Sequence, residues 1–422
     1  MRQSLMSRLR CPYCGTRLTA VENDALVRDG DGIAAGVVGC ECCAFPVVDG
    51  IPVLIADDTA RAAIQALESG RGREALEGLL GLDGPRTAAF RALAEGRTPA
   101  TYRRLVEVLS PDAEGTYFLY RFSDPTFLTA DAVLTALAAD PRTLGGWALD
   151  VCGGSGHLTR RLLALQGGGD GPRRRTVLAD VYFWKLWLAR RITAPGCHAV
   201  CCDANQPLPF EERACSLAVL SDAFPYIWHK RLLAGELMRV TGPDGVVALP
   251  HLHSADGENH SQGMALTPGA YADLFAPMAP RLYRDALLLD GVVDRQAIDL
   301  SHPVAPDRLG DEPAVTLVAG RRAEPAAPFP LAAPDAVTGQ LAVNPLYEVS
   351  RDGDGTRLRL AFPTPEYADE FGACTRYLPA EVRVAADLTG ALDDARVRAA
   401  LGASYDDLRR RRVLLDVPAG YC

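Results

Sequence analysis

Lysine is almost missing from this chain. Of 44 basic residues only Lys185 and Lys230 are lysines, and 53 acidic residues leave a formal net charge of −9. That balance argues against a broad nucleic-acid-binding face, which is ordinarily basic. Also missing is any run of 18 or more apolar residues, so no membrane span is expected. The opening MRQSLMSRLRCPYCG has a basic start but no apolar core behind it, which excludes a secretory signal and points to the cytoplasm. Without export, the 12 cysteines read as reduced thiols, some as metal ligands and the rest as small core residues. At 422 residues, 48% of them hydrophobic, the chain is long enough for two or three domains with their own cores.

The cysteines are patterned at the N-terminus. Cys11 and Cys14 form C-P-Y-C, and Cys40 and Cys43 form C-E-C-C, 25 residues on. Two such knuckles from two hairpins can set four thiolates tetrahedrally around zinc. Cys42 is ambiguous, as a substitute for Cys43 or a spare thiol. The intervening ALVRDGDGIAAGVV reads as two strands about a D-G turn, and AFPVVDGIPVLI follows. Residues 8–56 resemble the Trm112-like zinc ribbons, in which a second CxxC precedes such a strand. The resemblance implies a structural zinc on Cys11, Cys14, Cys40 and Cys43, and a module that supports a methyltransferase as partner or fusion.

Residues 57–145 are rich in Ala, Leu, Arg and Glu at helical spacing and read as a helical linker or lid. DPTFLTADAVLTALAAD is expected to be a helix capped by Thr129 or Asp131. The aromatic-dense GTYFLYRFSDPTF reads first as a packing cluster between helices, and second as a lid over a pocket.

The stretch ALDVCGGSGHLTRRLL, residues 148–163, has the outline of strand, glycine loop and helix, which suits a doubly wound α/β sheet. Glycines there let the backbone approach a ligand. The dinucleotide fingerprint G-x-G-x-x-G is incomplete, because Thr159 stands at its third position. Instead D-V-C-G-G-S-G resembles motif I of class I S-adenosylmethionine-dependent methyltransferases, D-x-G-x-G-x-G, with Cys152 in place of the first glycine. Downstream, RTVLAD ends a second strand at Asp180. CCDANQPLPF and the strand ending at Ser221–Asp222 resemble the family's next segments, as RVTGPDG resembles its turn before strand five. The resemblance spans about residues 146–250. It implies a Rossmann-like α/β methyltransferase sheet over 146–321. S-adenosylmethionine would be held by Asp150, Gly154, Ser155, Gly156, Asp180, Asp203, Ala204 and Ser221, with the Asp180 carboxylate on the ribose hydroxyls.

After strand five comes PHLHSADGENHSQG. His251 and His253, two apart on a strand end, are expected on one side of the sheet. They read as a general base, as substrate-orienting groups, or, with Glu258 and His260, as a metal site. Tyr226 joins them as a candidate substrate contact. His229 reads as the start of a helix. The proline/alanine-rich RRAEPAAPFPLAAPDAVTG reads as a linker. Residues 342–422 then form a small α+β unit resembling a winged-helix module, a packing or dimerisation appendage or a peptide-recognition unit. Taken together, the resemblances imply methyl transfer to a small-molecule or peptide acceptor in secondary metabolism, in a chain that could be a homodimer. An RNA methyltransferase and a non-catalytic scaffold are the alternatives.

Overall fold

The computed structural model describes residues 1–167, 175–258, 261–320, 325–332 and 336–422. Most of the loop insertion GGGDGPRRR, part of the linker after residue 320, and His260 lie outside the described residues. At the centre are seven strands: β1 (Ala148–Val151), β2 (Thr176–Asp180), β3 (His198–Cys201), β4 (Leu217–Val219), β5 (Val246–His253), β6 (Arg281–Arg284) and β7 (Ala314–Gly320). Their order across the sheet is β6-β7-β5-β4-β1-β2-β3. β3, β2, β1, β4 and β5 pair in parallel, while β7 runs antiparallel to both its neighbours. This is the Rossmann-like α/β sheet expected of the class I methyltransferase fold. The strands are apolar on both faces because both are covered. Ala148 and Leu178 belong to one core, and Leu149, Val151, Val177 and Ala179 to the other. The chain reverses its direction of winding between β1 and β4, and such a switch point, at the carboxyl ends of the strands, is where open α/β sheets bind ligands.

Four helices matter for the site: α1 (Tyr102–Leu109), α2 (Ala113–Tyr120), α3 (Pro125–Leu137) and α4 (His157–Leu165). Side chains of Thr101, Asp112 and Asp124 cap the first three through the amides of Arg104, Gly115 and Phe127. α3 therefore starts earlier than the expected Thr129 or Asp131 cap. Pro125 occupies the first helical position, where its missing N–H costs nothing, and Asp124 is an ordinary cap before it. No helix among the described residues is long and apolar enough to cross a membrane.

The N-terminal segment folds as a small antiparallel sheet built on strands Gly32–Gly39 and Ala44–Val48. Asp49 and Gly50, at φ 51° and 70°, make the two-residue turn into Ile51–Pro52. This unit docks on the free edge of the large sheet. Val53 bridges Cys201 in parallel, and the Leu54 amide donates to the Cys201 carbonyl at 2.7 Å. An edge that would otherwise expose unpaired backbone is thereby covered.

The C-terminal unit is α+β. Strands Gln340–Val343 and Leu414–Val417 pair, a three-stranded meander spans Tyr347–Asp352, Gly355–Leu360 and Glu381–Val384, and helices Pro365–Phe371, Asp394–Leu401 and Ser404–Arg410 pack on it. Its own core includes Leu346, Leu358, Phe371, Leu378 and Tyr405. Beyond it the chain returns to α1, where the Tyr102 amide donates to the Gly420 carbonyl at 2.8 Å.

Candidate functional site

The glycine loop leaves β1 at Asp150, which is buried and accepts the Thr159 hydroxyl at 2.6 Å through Oδ2. Its Oδ1 has no hydrogen-bond partner. Burial lifts this carboxyl to about 7. Cys152 adopts φ 55°, a left-handed conformation in which glycine carries no penalty, so the cysteine in motif I is strained but accommodated. Gly154, at φ 57°, lies under Phe118 of α2; a Cβ built there would stand 2.5 Å from the ring. Its amide donates to Asp180 Oδ2 at 3.0 Å, and the Tyr182 amide donates to Asp180 Oδ1 at 2.9 Å. Each carboxylate oxygen keeps a further lone pair. Ser155 is turned inward, its hydroxyl 2.6 Å from that of Tyr102, and Gly156 opens α4. Asp203 holds its own loop, accepting from the amide and side chain of Asn205 at 2.8 and 3.1 Å. Ala204 beside it is buried, and Ser221 Oγ, after β4, is buried without a partner. Asp150, Asp180 and Ser221 thus follow strands β1, β2 and β4 at their carboxyl ends, two of them with orphaned acceptors. That donor and acceptor set fits an adenosyl ligand bearing ribose hydroxyls and an amino-acid tail.

A hydrogen-bonded cluster stands at the end of β5. β5 carries a bulge: its register against β7 shifts between Leu249 and Leu252, and His251 takes φ 58°. Bulges re-aim side chains. Here the result places the rings of His251 and His253 edge to face with centroids 4.8 Å apart. His251 Nδ1 lies 2.7 Å from Asp285 Oδ2, and Asp285 Oδ1 accepts the Thr316 hydroxyl at 2.7 Å. His253 Nε2 lies 3.1 Å from Asp222 Oδ1, and Asp222 Oδ2 accepts the Tyr117 hydroxyl at 3.1 Å. Asp222 too is left-handed, at φ 62°, its amide tied to the Pro250 carbonyl in the bulge at 3.2 Å. Burial disfavours charge on His251, but Asp285 and Asp222 outweigh it and hold the imidazole above its ordinary range. Burial likewise opposes the Asp222 carboxylate, and His253 and His251 outweigh that, leaving it below its ordinary range. The His251 side chain is 20% exposed and that of His253 7%, so His251 is the one open to a ligand. Ligand atoms of Asp222, His251 and His253 also lie within 4.8 Å of one another. Glu258 is exposed and outside that group.

Tyr226 sits in the 224–226 turn, 55% exposed. Among the described residues no hydrogen bond joins its side chain to the histidines. Tyr117, Asp285 and Thr316 were not singled out in the sequence; Tyr117 comes from the aromatic-dense stretch, whose rings both pack and cover the loop. His229 precedes the helix Lys230–Thr241 as expected, and its Nδ1 lies 2.9 Å from the Asn205 carbonyl.

At the N-terminus, Cys11, Cys40 and Cys43 form one group and Cys14, Cys40 and Cys42 another, each with sulfurs within 4.8 Å. Cys14 Sγ is 3.5 Å from Cys40 Sγ. The Cys42 amide donates to Cys40 Sγ at 3.4 Å, the contact a knuckle makes to a thiolate. Hydrogen bonds from Thr16 lower Cys14 to about 6. Neither group holds all four of Cys11, Cys14, Cys40 and Cys43: Cys40 is common to both, and Cys14 is grouped with Cys42 rather than Cys43. Clustered thiols are the ligand type a structural zinc takes.

No protein-family model matches this chain, and no curated protein does. Among solved structures, a SAM-dependent methyltransferase from Aquifex aeolicus is 14% identical, over 48% of this chain and 95% of its own, with a TM-score of 0.33. A solved complex of the Haloferax volcanii Trm112 methyltransferase activator aligns at 17% identity over 45% of this chain and 88% of the other (TM-score 0.32). The plantazolicin methyltransferase BpumL, solved with a triazolic desmethylPZN analog and SAH, aligns at 13% identity over 52% of this chain and 96% of the other (TM-score 0.33). At such identities the likeness is one of fold.

Proposed function

We propose that this chain is an S-adenosylmethionine-dependent methyltransferase acting on a small-molecule or peptide acceptor, with a structural zinc in its N-terminal ribbon. The observation that carries the reading is the placement of Asp180 at the carboxyl end of β2, hydrogen-bonded to the Gly154 amide of the glycine loop, with unpartnered buried oxygens on Asp150 and Ser221 at the ends of β1 and β4. When bound, the donor supplies a methyl group on a sulfonium, already an activated leaving group. The chain's work is then to bind, align and handle a proton. Asp180 would accept ribose hydroxyls, while Gly154, Ser155 and Gly156 let the chain pass close to the ligand. Asp203 and Ala204 would border the adenine. The Phe118 ring would turn off Gly154 to admit the ligand.

His251 is the proton acceptor in this reading. With Nδ1–H given to Asp285, the neutral imidazole would keep Nε2 as the proton-accepting nitrogen. His253, Asp222 and Tyr117 would back it, and the exposed Tyr226 would contact the acceptor. Cys11, Cys14, Cys40 and Cys43 would hold the zinc.

Calorimetric titration with S-adenosylhomocysteine tests the reading. Micromolar binding to the wild type, weakened about tenfold to a hundredfold in Asp180→Ala, is the expected result. Folded protein with no affinity would sink it and favour a scaffold. Binding to RNA that falls steeply with salt would move the acceptor to RNA.

A further inference from the structure

A cleft of about 660 Å³ separates α3 and α4 from the C-terminal unit. This is the size of a small-molecule site. Its floor is apolar, with Phe122, Phe127 and Leu414 among its members, and seven arginines stand in its walls against four aspartates. Each aspartate is already committed. Arg160 pairs with Asp416 at 3.1 Å, Arg161 with Asp131 at 2.8 Å, Arg376 with Asp294 at 3.0 Å and Arg411 with Asp407 at 3.0 Å.

Three arginines stand outside these four pairs: Arg409, whose guanidinium packs over the Tyr405 ring at 5.9 Å, Arg410 and Arg412. Among the described residues no carboxylate pairs with Arg412. Its guanidinium packs over the Phe127 ring at 5.7 Å and donates to the Phe122 carbonyl, while its Nε is buried without a partner. Arg410 lies on the same wall, its Nε donating to the Asp406 carbonyl at 3.3 Å. Arg412 also adopts φ 58°, at a turn where its amide reaches the Arg409 carbonyl at 3.0 Å. A glycine would sit there unstrained. A desolvated cation facing an apolar floor, with a donor unspent, is what an incoming anion would complete.

We infer that this cleft is a second binding site, separate from the methyl-transfer crevice, for an organic anion: a phosphate or carboxylate on an apolar body. The anionic end meets Arg412 and Arg410, and the apolar body lies on Phe127 and Leu414. The reading is independent of the chemistry at His251.

The test is calorimetry on the full chain with octyl phosphate, octanoate and octanol. Octyl phosphate or octanoate should bind, and octanol should not. The preferred anion should lose about tenfold to a hundredfold in affinity in Arg412→Met, the effect of one charge-assisted contact. Because Arg412→Met also removes a tether to Phe122, exposed Arg410→Gln is measured beside it, and circular dichroism checks both folds. Weaker binding in Arg410→Gln, with the fold intact, supports the site. Phosphate bound over carboxylate identifies the ligand class as phosphorylated, and the reverse as carboxylic. Failure of both anions to bind below millimolar would overturn the inference, as would equal affinity for octanol or affinities unchanged in both variants.

Discussion

At the residue scale, chemistry is assigned by partners more than by residue type. Both histidines have a carboxylate, but only His251 is exposed enough to serve a ligand, and its carboxylate is itself fixed by Thr316. Because Asp285 and Asp222 raise the His251 pKa, a reaction that needs the neutral imidazole should speed up with rising pH through a midpoint above the ordinary value of about 6.5. In Asp285→Asn the hydrogen-bonded charge is gone while burial stays, so the midpoint of kcat/KM should move down. A midpoint that does not move would remove His251 from the role. His251→Gln should lower the rate by about 10²- to 10⁴-fold while leaving S-adenosylhomocysteine affinity nearly unchanged. Metal chelation after zinc is accounted for should not alter that pH profile.

At the element scale, two features set the site. One is the bulge in β5. Thr316 stands on β7 opposite the unpaired residues, and Asp285 follows directly after β6, so three adjacent strands bring Asp285, Thr316 and His251 together. The other is the edge made by β3 and the N-terminal ribbon. Arg8 and Arg10 both pair with Glu211, at 3.1 and 2.7 Å, and Trp187 and Arg191 reach Asp49 at 2.8 and 2.9 Å. If the thiols hold zinc, purified protein should contain about one zinc per chain by atomic emission. Its removal should lower the thermal midpoint and promote aggregation, because the ribbon would loosen from the sheet edge it covers. A metal-free protein with an unchanged midpoint would show that the ribbon's core stands alone.

At the scale of the whole molecule, the C-terminal unit is tied to the glycine loop by Tyr421. Its ring stacks on Tyr102 with centroids 4.5 Å apart, and its hydroxyl reaches His157 Nε2 at 3.0 Å and the Phe118 carbonyl at 3.1 Å. Tyr102 in turn bonds Ser155. Helices α1 and α2, the loop helix α4 and the C-terminal unit therefore share one buried polar network. Tyr421→Phe keeps the stack but strands buried groups of His157 and Phe118. It should cost about 1–3 kcal/mol, read as a lower midpoint in chemical denaturation. The C-terminal unit is thus part of the pocket's support, and the arginine cleft lies along the same junction, lined by His157 as well.

The sequence by itself determined the local structure. Strand, glycine loop and helix at 148–165, the two strands about a turn at 27–39, the paired cysteine knuckles and the α/β class all follow from short-range pattern, since strand periodicity, turn geometry and ligand spacing are properties of neighbouring residues; the turn itself falls on Gly30–Asp31 rather than on a D-G pair. It also put His251 and His253 at a strand end. Only the tertiary structure decided their partners. Asp222, Asp285, Thr316 and Tyr117 come from four distant segments, and which of them meet depends on sheet order and on a bulge whose left-handed His251 breaks the simple alternation. The same holds for Phe118 over Gly154, for the ribbon on the sheet edge, and for Arg412. Within RRRR, four arginines look alike; packing alone sets Arg412, half-buried, over a phenylalanine, and among the described residues no carboxylate pairs with it.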